Sequence, residues 1–132
     1  MKIQESAEDY LETILKLSLI KPSVRSIDIA TEMNFSKPSV SIAMKHLREK
    51  GQIVVDENGS IRLTAEGKAI ACRIYERHLL LSELLRRLGV PEEQAVEEAC
   101  HIEHDMSQDT FDKIREWAKS KGIEVTIHQA KA

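Results

Sequence analysis

The chain has no apolar run long enough to span a membrane, and Met1-Lys2-Ile3-Gln4 does not open a signal peptide. Cysteine is scarce, with only Cys72 and Cys100. These absences predict a cytoplasmic protein whose two thiols stay reduced rather than paired in a disulfide. A basic surplus is also missing: the formal net charge is −3 at pH 7, which counts against nucleic-acid binding by the molecule as a whole. No Ser/Cys–His–Asp arrangement and no phosphate-cradling loop is legible, so the commonest hydrolase and nucleotide-binding signatures are excluded. Internal repeats and low-complexity segments are absent too.

What is present is globular. The 132 residues are 42% hydrophobic and 31% charged, enough for one ordinary domain or one domain with a small dimerisation piece. The net charge conceals an asymmetry. Residues 21–77 hold ten Lys/Arg against seven Asp/Glu, and residues 78–132 hold seven against eleven. Because DNA contact depends on local cations near phosphates, an acidic total is compatible with it.

The pattern along the chain is mostly helical. Ser6 reads as the cap of a first helix, with Tyr10, Leu11, Ile14, Leu15 and Leu17 at helical spacing and Pro22 ending it. Ser26 opens a short second helix, Asn34-Phe35 forms the turn, and Ser36 caps a third helix with Pro38 in its first turn. Gly51 stops that helix. Ile53-Val54-Val55 and Ile61-Arg62-Leu63 read as two strands joined by Asp56-Glu57-Asn58-Gly59-Ser60, in which Asn58-Gly59 is a hairpin signal. Thr64 caps a long helix to about Leu88, Pro91 opens another to about Met106, and Ser107 caps a last one ending near Gly122. The tail from Ile123 to Ala132 is ambiguous. Two helices, a tight turn and a hairpin are the order of a winged helix-turn-helix.

The expected fold is therefore mainly α, with a winged helix-turn-helix over residues 1–71 followed by a helical metal-binding and dimerisation domain over 72–132. In the first part, Ser36, Lys37, Ser39, Ser41, Lys45 and Arg48 form the outer face of the third helix, and Pro38, Arg25 and Arg62 join Ser36, Lys37, Ser39, Ser41 and Lys45 as candidate DNA contacts. Hydroxyls, main-chain N–H groups and the helix dipole at such an N-terminus favour phosphate. A solvated, capped surface helix would carry the same residues, and the helix-turn-helix-hairpin order is what tilts the reading to double-stranded DNA. Bidentate base readers are scarce on this face, so much recognition is expected through phosphates and DNA shape.

A second constellation carries chemistry. Cys100, Glu103 and His104 at i, i+3 and i+4 would share one helical face, and Asp9 and Glu12 stand one turn apart on the first helix. With His78, these donor types suit a transition metal. Asp9, Glu12 and Glu103, with a Cys100 thiolate, would repel one another without a cation, and a divalent ion converts that repulsion into a cross-link. Each residue has an ordinary alternative: first-turn acids that stabilise a helix dipole, a half-buried histidine, a small core cysteine. Cys72 is read as core, and His46, His101 and His128 as surface.

Glu8-Asp9-Tyr10-Leu11-Glu12-Thr13-Ile14, Arg77-His78 and the run from Glu98 to Ser107, in this order, resemble the diphtheria toxin repressor family over about residues 6–120. The resemblance implies a homodimeric, metal-activated winged-helix repressor, in a short form without the SH3-like domain and similar to the manganese transport regulators. It implies Asp9, Glu12, His78, Cys100, Glu103 and His104 as the ligands. Asp9 matches the manganese branch, whereas Cys100 matches the iron branch, and Ser82 stands where many members carry a further Glu ligand. Mn(II) or Fe(II) is the expected cofactor, with Zn(II) or Co(II) binding in vitro, because carboxylates suit the former and a thiolate the latter. The apolar stretch 79–102 predicts a homodimer interface, and a dimer predicts a pseudo-palindromic operator. The function expected is repression of metal-homeostasis genes. A winged-helix regulator needing no metal, and a small metalloenzyme, are the rival readings. Six candidate ligands would crowd out the open position that catalysis needs.

Overall fold

The computed structural model describes residues 3–125 and 127. They divide into two compact units, the first running to Cys72 and the second covering Arg73–Ile127. The elements in chain order are α1 (Ile3–Ser18), α2 (Ser26–Met33), α3 (Lys37–Glu49), β1 (Ile53–Val55), β2 (Ile61–Leu63), α4 (Ala65–Arg87), α5 (Glu92–Ile102) and α6 (Gln108–Ser120). The fold is mainly α, with a winged helix-turn-helix ahead of a helical unit. Among the described residues no helix is long and apolar enough to cross a membrane.

The first unit buries the expected stripes. Leu11, Ile14 and Leu15 of α1, Ile29 and Ala30 of α2, and Val40, Met44 and Leu47 of α3 supply its core, closed by Ile53 and Ile61 of the strands. The turn between α2 and α3 depends on Asn34, whose φ of 57° and ψ of 43° is a left-handed conformation that asparagine tolerates. Phe35 N–H then donates to the Ala30 carbonyl at 3.1 Å, and the Tyr10 and Phe35 rings meet edge-on at 6.0 Å. Ser36 caps α3, its oxygen accepting from Ser39 N–H at 3.3 Å.

β1 and β2 pair antiparallel, with Val54 opposite Arg62. Their connection is the expected five-residue segment 56–60. Asp56 Oδ1 accepts from the N–H groups of Asn58 and Ser60, both at 2.9 Å, and this carboxylate organises a five-residue loop, 56–60. A type I′ turn needs positive φ at both central residues, and here only Gly59 (φ 81°) has it. Val24 adds a further rung, bridging Ile61 through an N–H···O bond of 2.7 Å from Ile61 to the Val24 carbonyl.

Two helix limits differ from expectation. α1 is already helical at Ile3, so Ser6 lies inside it rather than capping it. α5 ends at Ile102, four residues short of Met106, and Glu103 and His104 stand on the turn that follows. Arg77 of α4 holds that turn: its Nη1 donates to the Glu103 carbonyl at 3.0 Å and to the Met106 carbonyl at 2.8 Å, satisfying acceptors that a helix end leaves without intrahelical donors. Ser107 then caps α6 by accepting from Thr110 N–H at 3.1 Å. The second unit packs around Phe111, which is fully buried with Leu80, Ala118 and Ile123. The guanidinium carbons of Arg77 and Arg115 sit 5.4 and 5.2 Å from its ring centroid. Of the ambiguous tail, Thr126 and residues 128–132 lie outside the described residues, His128 included.

Candidate metal centre and nucleic-acid face

In the second unit three of the expected metal-site residues come together. Glu103 is fully buried. One of its oxygens lies 3.0 Å from His78 Nδ1 and the other 3.4 Å from His104 Nε2. The His78 side chain is 12% exposed and that of His104 2%. α4 positions His78, and its ring stacks on Tyr75 at 6.5 Å between centroids. The turn held by Arg77 positions Glu103 and His104. A carboxylate withdrawn from water must be neutralised by protonation, by cationic partners or by a metal. Two imidazoles and a carboxylate in such contact are a donor set that first-row divalent ions accept. Cys100 is exposed, in the last turn of α5, so it is not the small core residue that a free cysteine usually is. His101 is exposed as expected.

In the first unit, Asp9 and Glu12 stand one turn apart on α1, Asp9 half-buried and Glu12 5% exposed. Glu12 is almost wholly buried, an unusual state for an acid whose only task would be to stabilise a helix dipole.

The expected DNA-contacting residues all belong to the first unit and all are exposed. Lys37, Pro38, Ser39, Ser41 and Lys45 line α3 behind the Ser36 cap, and Arg62 lies on β2. The Ser36 hydroxyl donates to Ser39 Oγ at 2.9 Å. Arg25 is the residue preceding α2, and its main-chain N–H donates to Asp28 Oδ2 at 2.9 Å. Its guanidinium lies over the hairpin tip, where a side chain on Gly59 would meet Nη2 at 3.1 Å. Ser23 reinforces this link by donating to Ser60 Oγ at 2.9 Å. Asp28 has a lowered pKa, chiefly because it accepts from the Arg25 main chain and next because Lys21 Nζ donates to it at 3.0 Å.

The structure makes two further residues prominent, Arg77, which the sequence shows only as part of a motif, and Ile42, which it does not single out. Arg77 is 5% exposed and occupies a core-stripe position after Ala71 and Ile74, a charged residue where the period calls for an apolar one. Ile42 is 58% exposed on α3, the reverse anomaly.

The second unit also leaves apolar surface uncovered. Leu88 is 80% exposed, Trp117 54%, Ile102 39% and Val96 37%.

Comparison with known proteins agrees with this division of labour. Residues 2–60 match the N-terminal DNA binding domain of the iron dependent repressors, and residues 64–120 match their metal binding and dimerisation domain. The chain belongs to the iron-dependent repressor family, the metal-dependent transcriptional repressors of metal homeostasis. Within that family it is of the MntR type. A transcriptional regulator MntR of Escherichia coli is 33% identical over 119 residues, which is 90% of this chain and 77% of that protein. The HTH-type transcriptional regulator MntR of Bacillus subtilis is 34% identical over 109 residues, 83% of this chain and 77% of that protein. Among solved structures, the manganese regulator SloR is 28% identical with a TM-score of 0.74, covering 86% of this chain and 53% of that one. T. acidophilum IdeR is 29% identical with a TM-score of 0.74, covering 95% of this chain and 61% of that one. The chain thus spans less than two thirds of the length of these two structures.

Proposed function

We propose that this protein is a cytoplasmic repressor, not an enzyme, that binds double-stranded DNA when Mn(II) or Fe(II) is available. Residues 1–71 read DNA, and residues 72–132 bind metal and dimerise. Asp9, Glu12, His78, Cys100, Glu103 and His104 hold the ion. The buried Glu103 carboxylate between His78 and His104 carries the reading, because it concentrates metal-type donors in a chain that also has a winged helix. The ion supplies positive charge that removes the repulsion among the acidic donors. Arg77 keeps the Glu103 turn in place, and α1 presents Asp9 and Glu12 from the DNA-binding part. Metal binding therefore links the two parts of the chain, and that link is the route by which metal alters DNA affinity.

The exposed Leu88, Val96, Ile102 and Trp117 support a homodimer. Twofold symmetry in turn supports a pseudo-palindromic operator with half-sites about one helical turn apart. The phosphate contacts fall to Arg25, Ser36, Lys37, Ser39, Ser41, Lys45 and Arg62, and Pro38 allows close approach of the helix start.

The test is fluorescence anisotropy on the DNA upstream of the protein's own gene, in chelator and with Mn(II), Fe(II), Co(II) or Zn(II). Affinity should rise at least ~10-fold with Mn(II) or Fe(II), a coupling of roughly 1.4 kcal/mol. Equal affinity in chelator and in every metal overturns the metal-dependent reading.

A further inference from the structure

Ile42 is 58% exposed, while Val40 and Met44 on either side of it in sequence are 0% and 5% exposed. At 100° per residue it stands roughly 160° round α3 from both. It therefore points away from the core. Pro38, Ser39, Lys45 and His46 flank it at i−4, i−3, i+3 and i+4, and all four are exposed.

We infer that Ile42 is a base-reading residue that packs on the C5-methyl group of a thymine in the major groove. The inference rests on the DNA-binding reading and deepens it. The crest of a recognition helix enters the groove furthest, whereas the residues at its start meet the backbone. Here Ser36 and Ser39 are joined to each other at the N-terminus, and Lys45 is a flexible point charge suited to phosphate. None of these distinguishes one base from another well.

Ile42 can. A thymine methyl is the most prominent apolar feature of the major-groove edge, where the purine N7, the keto and the amino groups are hydrogen-bond acceptors or donors. Isoleucine gains by covering the methyl and loses by desolvating an amino or keto group that it cannot bond. Its branched β-carbon leaves essentially one χ1 rotamer in a helix, so little side-chain freedom is lost on contact. The same branching lowers helix propensity, so an exposed isoleucine brings α3 no local stability.

The experiment selects the preferred duplex from a random pool with the full chain, in Mn(II) and in chelator. Each thymine is then replaced in turn by deoxyuridine, which removes only the methyl group. Anisotropy with wild type, Ile42→Ala and Ile42→Val reads the affinities, and thermal melting checks that all three fold alike. In wild type, one or two uracil positions per half-site should weaken binding about 4-fold each, the effect of one buried methyl. Ile42→Ala should be indifferent at those positions, and Ile42→Val should keep part of the effect. Identical uracil profiles for wild type and Ile42→Ala, or no sensitive position at all, overturn the inference and leave DNA binding standing. Failure of the pool to enrich any sequence overturns the repressor reading and the inference together.

Discussion

The Arg77 guanidinium donates to the main-chain carbonyl of Glu103 at 3.0 Å, across 26 residues of sequence. The same Nη1 donates to the Met106 carbonyl at 2.8 Å, and Nη2 donates to Gln108 Oε1 at 2.9 Å. Arg77 immediately precedes His78 on α4, so one buried cation locks the register between the helix that carries His78 and the turn that carries Glu103 and His104. Hydrogen bonds to a charged group are worth about 1.5–3 kcal/mol, and two carbonyls would lose their donor together. Arg77→Ala should therefore cost about 3 kcal/mol in urea unfolding and lower metal affinity by about 10- to 100-fold in calorimetry. Arg77→Lys keeps the charge without the fork and should recover only part of either loss. Wild-type metal affinity in both variants would show that this anchoring plays no part in the site.

Gly67 tests the seam between the wing and α4. A Cβ there would lie 2.0 Å from the Gln52 carbonyl oxygen, which accepts from Thr64 N–H at 3.1 Å. Helix propensity alone predicts that Gly67→Ala stabilises α4 by about 1 kcal/mol. The steric conflict is with backbone and cannot be relieved by a rotamer, so the net effect should be a loss of about 2–3 kcal/mol. A more stable Gly67→Ala protein by urea denaturation would refute this packing.

The Asp28 carboxylate predicts a pH signature at the start of the helix-turn-helix. Its pKa is lowered in the folded protein, first by the Arg25 main-chain bond and then by Lys21. A lowered folded value means that the stability is fully present above the unfolded value of about 3.9 and is lost as pH falls through the folded value. The stability gap between wild type and Asp28→Asn should therefore be constant from about pH 5 to 7 and close below about pH 4. Because the pair with Lys21 is partly exposed, added salt should narrow the gap at neutral pH. A gap that widens as the solution is acidified contradicts the assignment.

Cys100 should set metal preference more than metal dependence. Its exposure at the end of α5 leaves the thiol accessible to an ion. A soft thiolate strengthens Fe(II), Co(II) and Zn(II) relative to Mn(II), which lies at the bottom of the affinity order. Cys100→Glu should keep metal-activated DNA binding and shift its activation profile towards Mn(II). Wild type with Co(II) should show a sulfur-to-metal charge-transfer band in the near ultraviolet that Cys100→Glu lacks. If the band is missing and the metal ranking does not move, the thiol is no ligand.

Local rules made much of this molecule readable from its residues alone. Ser36 with Pro38, Thr64 and Ser107 marked three helix starts, and the short branched runs at Ile53 and Ile61 marked both strands. Capping and strand propensity act over a few residues, so one sequence shows them. The likeness of the Asp9–Glu12, His78 and Cys100–His104 motifs to a known family pointed to the regulator class. Tertiary structure decided where distant segments intervened. Arg77, 26 residues from Glu103, donates to the carbonyls of Glu103 and Met106 and so fastens to α4 the turn that carries Glu103 and His104. Asp56 accepted from the N–H groups of Asn58 and Ser60 and so set the turn geometry within the expected loop. The full burial of Glu103 against His78 and His104 appeared only in the packed chain, since burial belongs to the tertiary structure and not to any residue by itself.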